Sequence, residues 1–204
     1  MKPLRIQYVS NLHLERFTDP NYYHLVKPCA PYLALAGNIS QSGFHVYPFL
    51  SYCSKHWGYT VYSPSEKEVP TDHAFMQLLQ ITQRFSNMRL LHTGSPSTYF
   101  PYENLAFVGA SYKEQIWYHD MIHAGMCVVS HAPPDKTLLS TSRVKAWIYG
   151  DATNFKTEIV GDTILTVNPY ETDGFSKQGW IEIPYTSGKR GVAMELAAAA
   201  SKLA

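Results

Sequence analysis

The sequence is poor in cysteine, in charge and in long apolar runs. Its three cysteines, Cys29, Cys53 and Cys127, are widely spaced and form no CxxC. An odd, scattered set argues against a disulfide framework or a structural zinc site and fits a reducing compartment. Charged residues make up 16% of the chain, and seventeen basic against sixteen acidic residues leave a formal charge of +1. That balance gives no global electrostatic footprint for nucleic acid or an anionic membrane. No apolar run approaches the roughly 20 residues that cross a bilayer, so no membrane insertion is expected. The opening MKPLRIQYV lacks the apolar core and cleavage site of a secretory signal. SKL at 201–203 is followed by Ala204, whereas a peroxisomal signal must be terminal. The expected setting is intracellular and reducing, not secreted.

What is present is apolar and aromatic. Over 204 residues, 45% are hydrophobic and fifteen are tyrosine. A chain of this length and composition buries one sizeable core. Tyrosine suits half-wet rims and interfaces. Strand-like runs fall at 5–9, 32–36, 59–62, 89–92, 105–108, 127–130 and 146–149. The continuous apolar YLALA at 32–36 suits a strand covered on both faces. Val46, Phe49, Leu50, Cys53 and Trp57 recur at helical spacing, which predicts a helix over 46–57 with Pro48 in its first turn. A second helix is expected from Thr71 or Asp72, either of which can cap it, with Phe75, Leu78, Leu79, Thr82 and Phe85 on one stripe. Residues 156–160, 163–167 and 179–183 read as a closing β-meander, with Gly161-Asp162 as a turn. The main domain is expected over 1–185. Residues 186–204 read as a polar linker and an Ala-rich tail, too short and too weakly amphipathic to be a stable helix alone.

Alternating strands and helices followed by strands indicate an α/β or α+β layered domain. Ligands in such folds bind outside the carboxyl ends of strands. The small or polar strand ends here are Asn11-Leu12-His13, Gly37-Asn38, Ser63-Pro64-Ser65-Glu66, His131, and Gly150-Asp151-Ala152-Thr153-Asn154.

In that order these ends resemble the calcineurin-like metallophosphoesterases, especially the small single-domain ones of bacteria and large DNA viruses. The family carries D-x-H, G-D, G-N-H-[DE], a His after an apolar strand, and G-H-x-H. This chain offers SNLHLE, LALAGNIS, VYSPSE, VVSHAPP and WIYGDATNF, and TILTVNPYE resembles the closing strands. The resemblance spans 4–183 and implies a four-layer sandwich: two mixed β-sheets face to face, flanked by helices. It also implies two divalent metals, such as Mn, Fe or Zn, that activate a bridging water for in-line attack on phosphorus.

Residue by residue, the family's site is depleted. His13 is retained, but Asn11 stands where the family has Asp. Asn38 replaces the Asp that bridges the two metals. Asparagine is nearly isosteric with aspartate, but it is neutral and half its head group donates. Pro64 replaces a ligand Asn, and Ser65 replaces the catalytic His. Serine cannot act as a general acid near neutral pH. His131 is kept, while Asp151 and Thr153 stand where the family has two His. Hard dications need anionic oxygen ligands, so these changes weaken the site together.

The expectation is therefore a pseudoenzyme with no catalytic residue and no cofactor. It would act as a structural or protein-binding component with other protein subunits as partners, in a virion or another large assembly. Asn11, Asn38, Asp151 and the two His would form a hydrogen-bonded plug. The alternatives are a one-metal phosphoesterase using His13, His131 and Asp151, or a phosphate or nucleotide binder without turnover. His119, Asp120 and His123 have metal-like spacing but read as a surface or helix-face group. The aromatic segment 112–118 and the tail 192–204 are the expected contact surfaces.

Overall fold

The structure is a computed structural model, and it describes residues 3–41, 43–92, 97–100, 105–110, 125–134, 144–170 and 174–183. The segment 112–118, the group His119, Asp120 and His123, and the stretch 186–204 lie outside the described residues.

The strands are β1 (Leu4–Val9), β2 (Tyr32–Ala36), β3 (Tyr59–Ser63), β4 (Met88–Leu90), β5 (Ser97–Phe100) and β6 (Leu105–Ala110), then β7 (Gly125–Ser130), β8 (Val144–Tyr149), β9 (Lys156–Val160), β10 (Thr163–Val167) and β11 (Trp180–Ile183). The helices are α1 (Tyr22–Leu25), α2 (Gly43–His56) and α3 (Asp72–Thr82), with a 3-10 turn at Leu14–Arg16. They build two mixed sheets, ordered β11-β1-β2-β3-β4 and β5-β6-β7-β8-β10-β9. β1 to β4 are parallel, and so are β6, β7, β8 and β10. The antiparallel strands β11, β5 and β9 take the edges.

The period of two sorts side chains between layers. In β2, Leu33 and Leu35 join the cluster beneath α2 and α3, while Ala34 and Ala36 point into the core between the sheets. Leu4, Ile6 and Tyr8 of β1 meet Phe107, Cys127, Val129, Ala146 and Ile148 in that inter-sheet core. Small Ala34, Ala36 and Ala146 let the sheets approach. The outer face of the second sheet carries its own buried cluster, including Val108, Val128 and Trp147. Among the described residues, the helices pack on the first sheet.

The α2 stripe is as expected: Val46, Phe49, Leu50, Cys53 and Trp57 are all buried. The helix starts earlier, at Gly43, so Pro48 lies inside it and not in its first turn. Pro48 has no N–H for the carbonyl four residues back, and it is exposed, where water can serve that carbonyl. Thr71 caps α3, its hydroxyl accepting from Ala74 N–H at 3.2 Å. The expected closing meander is corrected. β9 and β10 form a hairpin, but β11 crosses to the first sheet and pairs with β1, Ile181 opposite Ile6. Pairing there buries Ile181 and Ile183 in the inter-sheet core. The short edge strand β5 is an addition to the strands read from sequence. Tyrosine is not confined to the rim either, since Tyr8 and Tyr62 are fully buried.

Candidate functional site

β1, β2 and β3 are parallel neighbours in one sheet, and β7 and β8 are parallel neighbours in the other. Their carboxyl ends lie together where the sheets meet. The loops after β1 and β2 ladder onto each other: Asn11 N–H donates to Gly37 O, His13 N–H to Asn38 O, and Leu14 N–H to Ile39 O, at 3.1, 3.1 and 2.9 Å. Asn11, His13 and Asn38 all adopt positive φ, at 53°, 48° and 51°. Asparagine accepts this left-handed region more readily than most residues, so Asn11 and Asn38 suit the backbone as well as the site.

The second sheet comes close enough to exclude a side chain at Gly150. A Cβ there would stand 1.7 Å from Ala36 O. The loop after β8 hooks onto the loop after β7, because Gly150 and Asp151 N–H both donate to His131 O, at 2.9 and 2.7 Å. The His131 side chain lies against Gly37, where a Cβ would come within 2.7 Å of its Cδ2.

A directed chain of neutral hydrogen bonds runs through this junction. The Ser65 hydroxyl donates to Asn38 Oδ1 at 2.7 Å. Asn38 Nδ2 donates to Asn11 Oδ1 at 3.0 Å. Asn11 Nδ2 donates to Gly150 O at 3.0 Å, crossing from one sheet to the other. Each amide is used as donor and acceptor at once, which a carboxylate cannot do.

The membership differs from the expected plug. Asn11 and Asn38 are in it, and Ser65 completes it. His13 bonds Glu15, Nδ1 to Oε1 at 3.0 Å, and Glu15 Oε2 accepts Gln41 N–H at 3.0 Å. Burial pushes the Glu15 carboxyl up, but the Gln41 N–H and His13 outweigh it and hold the group below its ordinary range. Asp151 and Thr153 are exposed, Pro64 is half-buried, and Asp151 enters through its backbone N–H. His131 is half-buried, and burial pushes its imidazole down, with Asp151 and Glu66 opposing and Lys67 reinforcing.

One residue of the site escaped the sequence reading. Glu66 aligns with the family's acidic position, yet it is exposed, and Glu68 is the buried carboxylate. Glu68 Oε2 accepts N–H from Asn38 at 2.8 Å and from Ser65 at 2.6 Å. Its Oε1 accepts N–H from Ile39 at 2.7 Å and from Ser40 at 3.2 Å, together with the Tyr62 hydroxyl. Burial pushes this carboxyl up, and those donors pull against it. A signal was available: an acid closely following the Ser65 turn, within reach of the turn after β2.

These residues do not fit a two-metal centre. The donor set of Asn11, Asn38 and Ser65 is neutral, and its oxygens are engaged in hydrogen bonds. Among the described residues, no group of three or more His, Cys, Asp or Glu is arranged to hold a metal, and His13, His131 and Asp151 make no such group.

No protein-family model matches the sequence, and no curated protein matches it. Solved structures do match. The protein TT1561 of Thermus thermophilus is 15% identical, with a TM-score of 0.62 over 82% of this chain and 89% of that one. The phosphopantetheinyl hydrolase of Mycobacterium tuberculosis is 10% identical, with a TM-score of 0.58 over 94% of this chain and 99% of that one. A protein named as a 5′-nucleotidase from Staphylococcus aureus, solved with alpha-ketoglutarate, is 12% identical, with a TM-score of 0.59. The match covers 98% of this chain and 58% of that one. At such identities the likeness is one of fold. The chain has a metallophosphoesterase-like fold, and two of these neighbours are named as a phosphopantetheinyl hydrolase and a 5′-nucleotidase. No helix among the described residues is long and apolar enough to cross a membrane.

Proposed function

We propose that this chain is a metallophosphoesterase-like domain without phosphoesterase turnover, serving as a structural or protein-binding component of a larger assembly. A virion is one such assembly. The observation that carries the reading is the neutral relay from Ser65 through Asn38 and Asn11 to Gly150 O. Two-metal hydrolysis requires anionic bridging ligands, an activated water and an acid for the leaving group. Here the bridging position is an amide that spends its nitrogen as a donor, and the acid's position is a serine hydroxyl that spends its proton on Asn38. With the site satisfied internally, function moves to the surface.

The test pairs elemental analysis of the native protein with p-nitrophenyl phosphate hydrolysis in added manganese. Substoichiometric metal and no turnover above the blank are expected. One metal per chain with turnover would overturn the reading in favour of a reduced-site phosphoesterase. Saturable phosphate or nucleotide binding without turnover would replace it with a binding module. Co-migration of the native protein with a larger assembly, lost when 192–204 is deleted, is the expected positive sign.

A further inference from the structure

Glu68 is a carboxylate deep in the fold, and its environment is that of a bound anion. Three successive backbone N–H groups, from Asn38, Ile39 and Ser40, converge on it from the turn after β2. A fourth, from Ser65, reaches it from the loop after β3. Successive N–H groups aimed at one point make an anion-binding concavity. The two oxygens divide the donors, Asn38 and Ser65 on one, Ile39, Ser40 and Tyr62 on the other. That pattern suits a flat, two-oxygen ligand. A cleft of about 300 Å³ between α2 and α3 opens beside it, with Ser40, Gln41, Gln77, Gln80, Arg84 and Glu68 in its lining. Glu68 itself is buried, so the cleft borders its residue and not an open carboxylate.

We propose that these four N–H groups form a carboxylate-binding site whose resident ligand is the chain's own Glu68, and that a small free carboxylate takes the site when that side chain is removed. The tethered anion pins the ends of β2 and β3, and so it positions Asn38 and Ser65 in their relay. The inference uses neither metal nor turnover. Its failure leaves the pseudoenzyme reading standing, and metal or turnover in this protein would leave the carboxylate site standing.

Glu68→Ala deletes the methylene and the carboxyl group, which acetate supplies. Thermal unfolding of Glu68→Ala is followed with increasing sodium acetate, against sodium chloride at matched ionic strength. The expected result is a lowered Tm that acetate raises saturably by several degrees, while chloride does not and the unsubstituted protein does not respond. Binding to the native state alone requires that dependence on concentration. Glu68→Gln fills the space but turns an amide nitrogen, a donor, toward backbone N–H donors, so its Tm falls and acetate leaves it unchanged. Where Glu68→Ala does not fold in plain buffer, the readout is the yield of folded protein on refolding, restored by acetate and not by chloride. An acetate response equalled by chloride, or seen equally in the unsubstituted protein, overturns the proposal. So does a Glu68→Ala protein that acetate neither stabilises nor refolds.

Discussion

Asn38 differs from an aspartate by one nitrogen and its two hydrogens, and those hydrogens decide what the junction can do. One of them holds Asn11 Oδ1. In Asn38→Asp an anionic oxygen would face that same acceptor, with the Asn38 position only 7% exposed. Losing one buried donor and leaving its partner unsatisfied costs about 1–3 kcal/mol. The expected result is a destabilisation of that size by urea unfolding, shrinking as pH falls, because the protonated acid regains a donor. Gly150 makes a harder demand. Gly150→Ala would set a Cβ 1.7 Å from Ala36 O, and one sheet must move. A loss of about 3 kcal/mol or more is expected in the same measurement. Asn11, Asn38 and Ser65 were legible in the sequence because short motifs follow apolar strands. Glu68 was not, because its role depends on how the turn from 64 to 69 folds back, and the motif's spacing pointed to exposed Glu66.

Helices and strands were legible where one physical pattern dominates. The α2 stripe is a single apolar face at helical spacing, and YLALA alternates between two buried faces. The destination of β11 was not legible, because an amphipathic strand near the end of a chain fits the edge of either sheet. The choice is made by long-range burial of Ile181 and Ile183 against β1. Helix ends are decided more locally. At α3, the Thr71 hydroxyl accepts Ala74 N–H at an exposed helix start. Thr71→Ala is expected to cost about 1 kcal/mol, the ordinary worth of an N-cap. Thermal unfolding should show it, and Thr71→Ser should recover most of the loss. α3 is a clean place for this test, since the Thr71 cap is exposed while Leu78, with Phe75, Leu79 and Ile81 beside it, carries the packing.

The sandwich is similar in fold to solved structures at 10–15% identity, among them a protein named as a phosphopantetheinyl hydrolase and one named as a 5′-nucleotidase. Its layers depend on apolar pattern, while its chemistry depends on a few strand ends, so the two can diverge. What the junction retains is titratable, and that sets how the molecule responds to acid. Burial pushes the His131 imidazole below its ordinary value of 6.5, and outside the junction it does the same to His92, beside the Phe75 ring, with Arg89 adding to the effect there. As pH falls through that value, the unfolded chain takes up protons before the folded one does. Stability is therefore full above about pH 6.5 and is lost as pH drops toward the folded values. Glu15, held low, extends the loss in the same direction below its ordinary 4.5. Glu68 works in the opposite sense, because burial raises its carboxyl and acid relieves the cost of its charge. A wild-type profile sums these opposed effects, so the histidine part must be isolated by difference. Replacing His131 by Gln removes one proton-uptake site from the unfolded state and keeps a polar side chain over Gly37. The stability of wild type minus that of His131→Gln should fall steadily from about pH 7.5 to about pH 5. A difference that stays flat, or grows, would show that His131 is not held neutral by its burial.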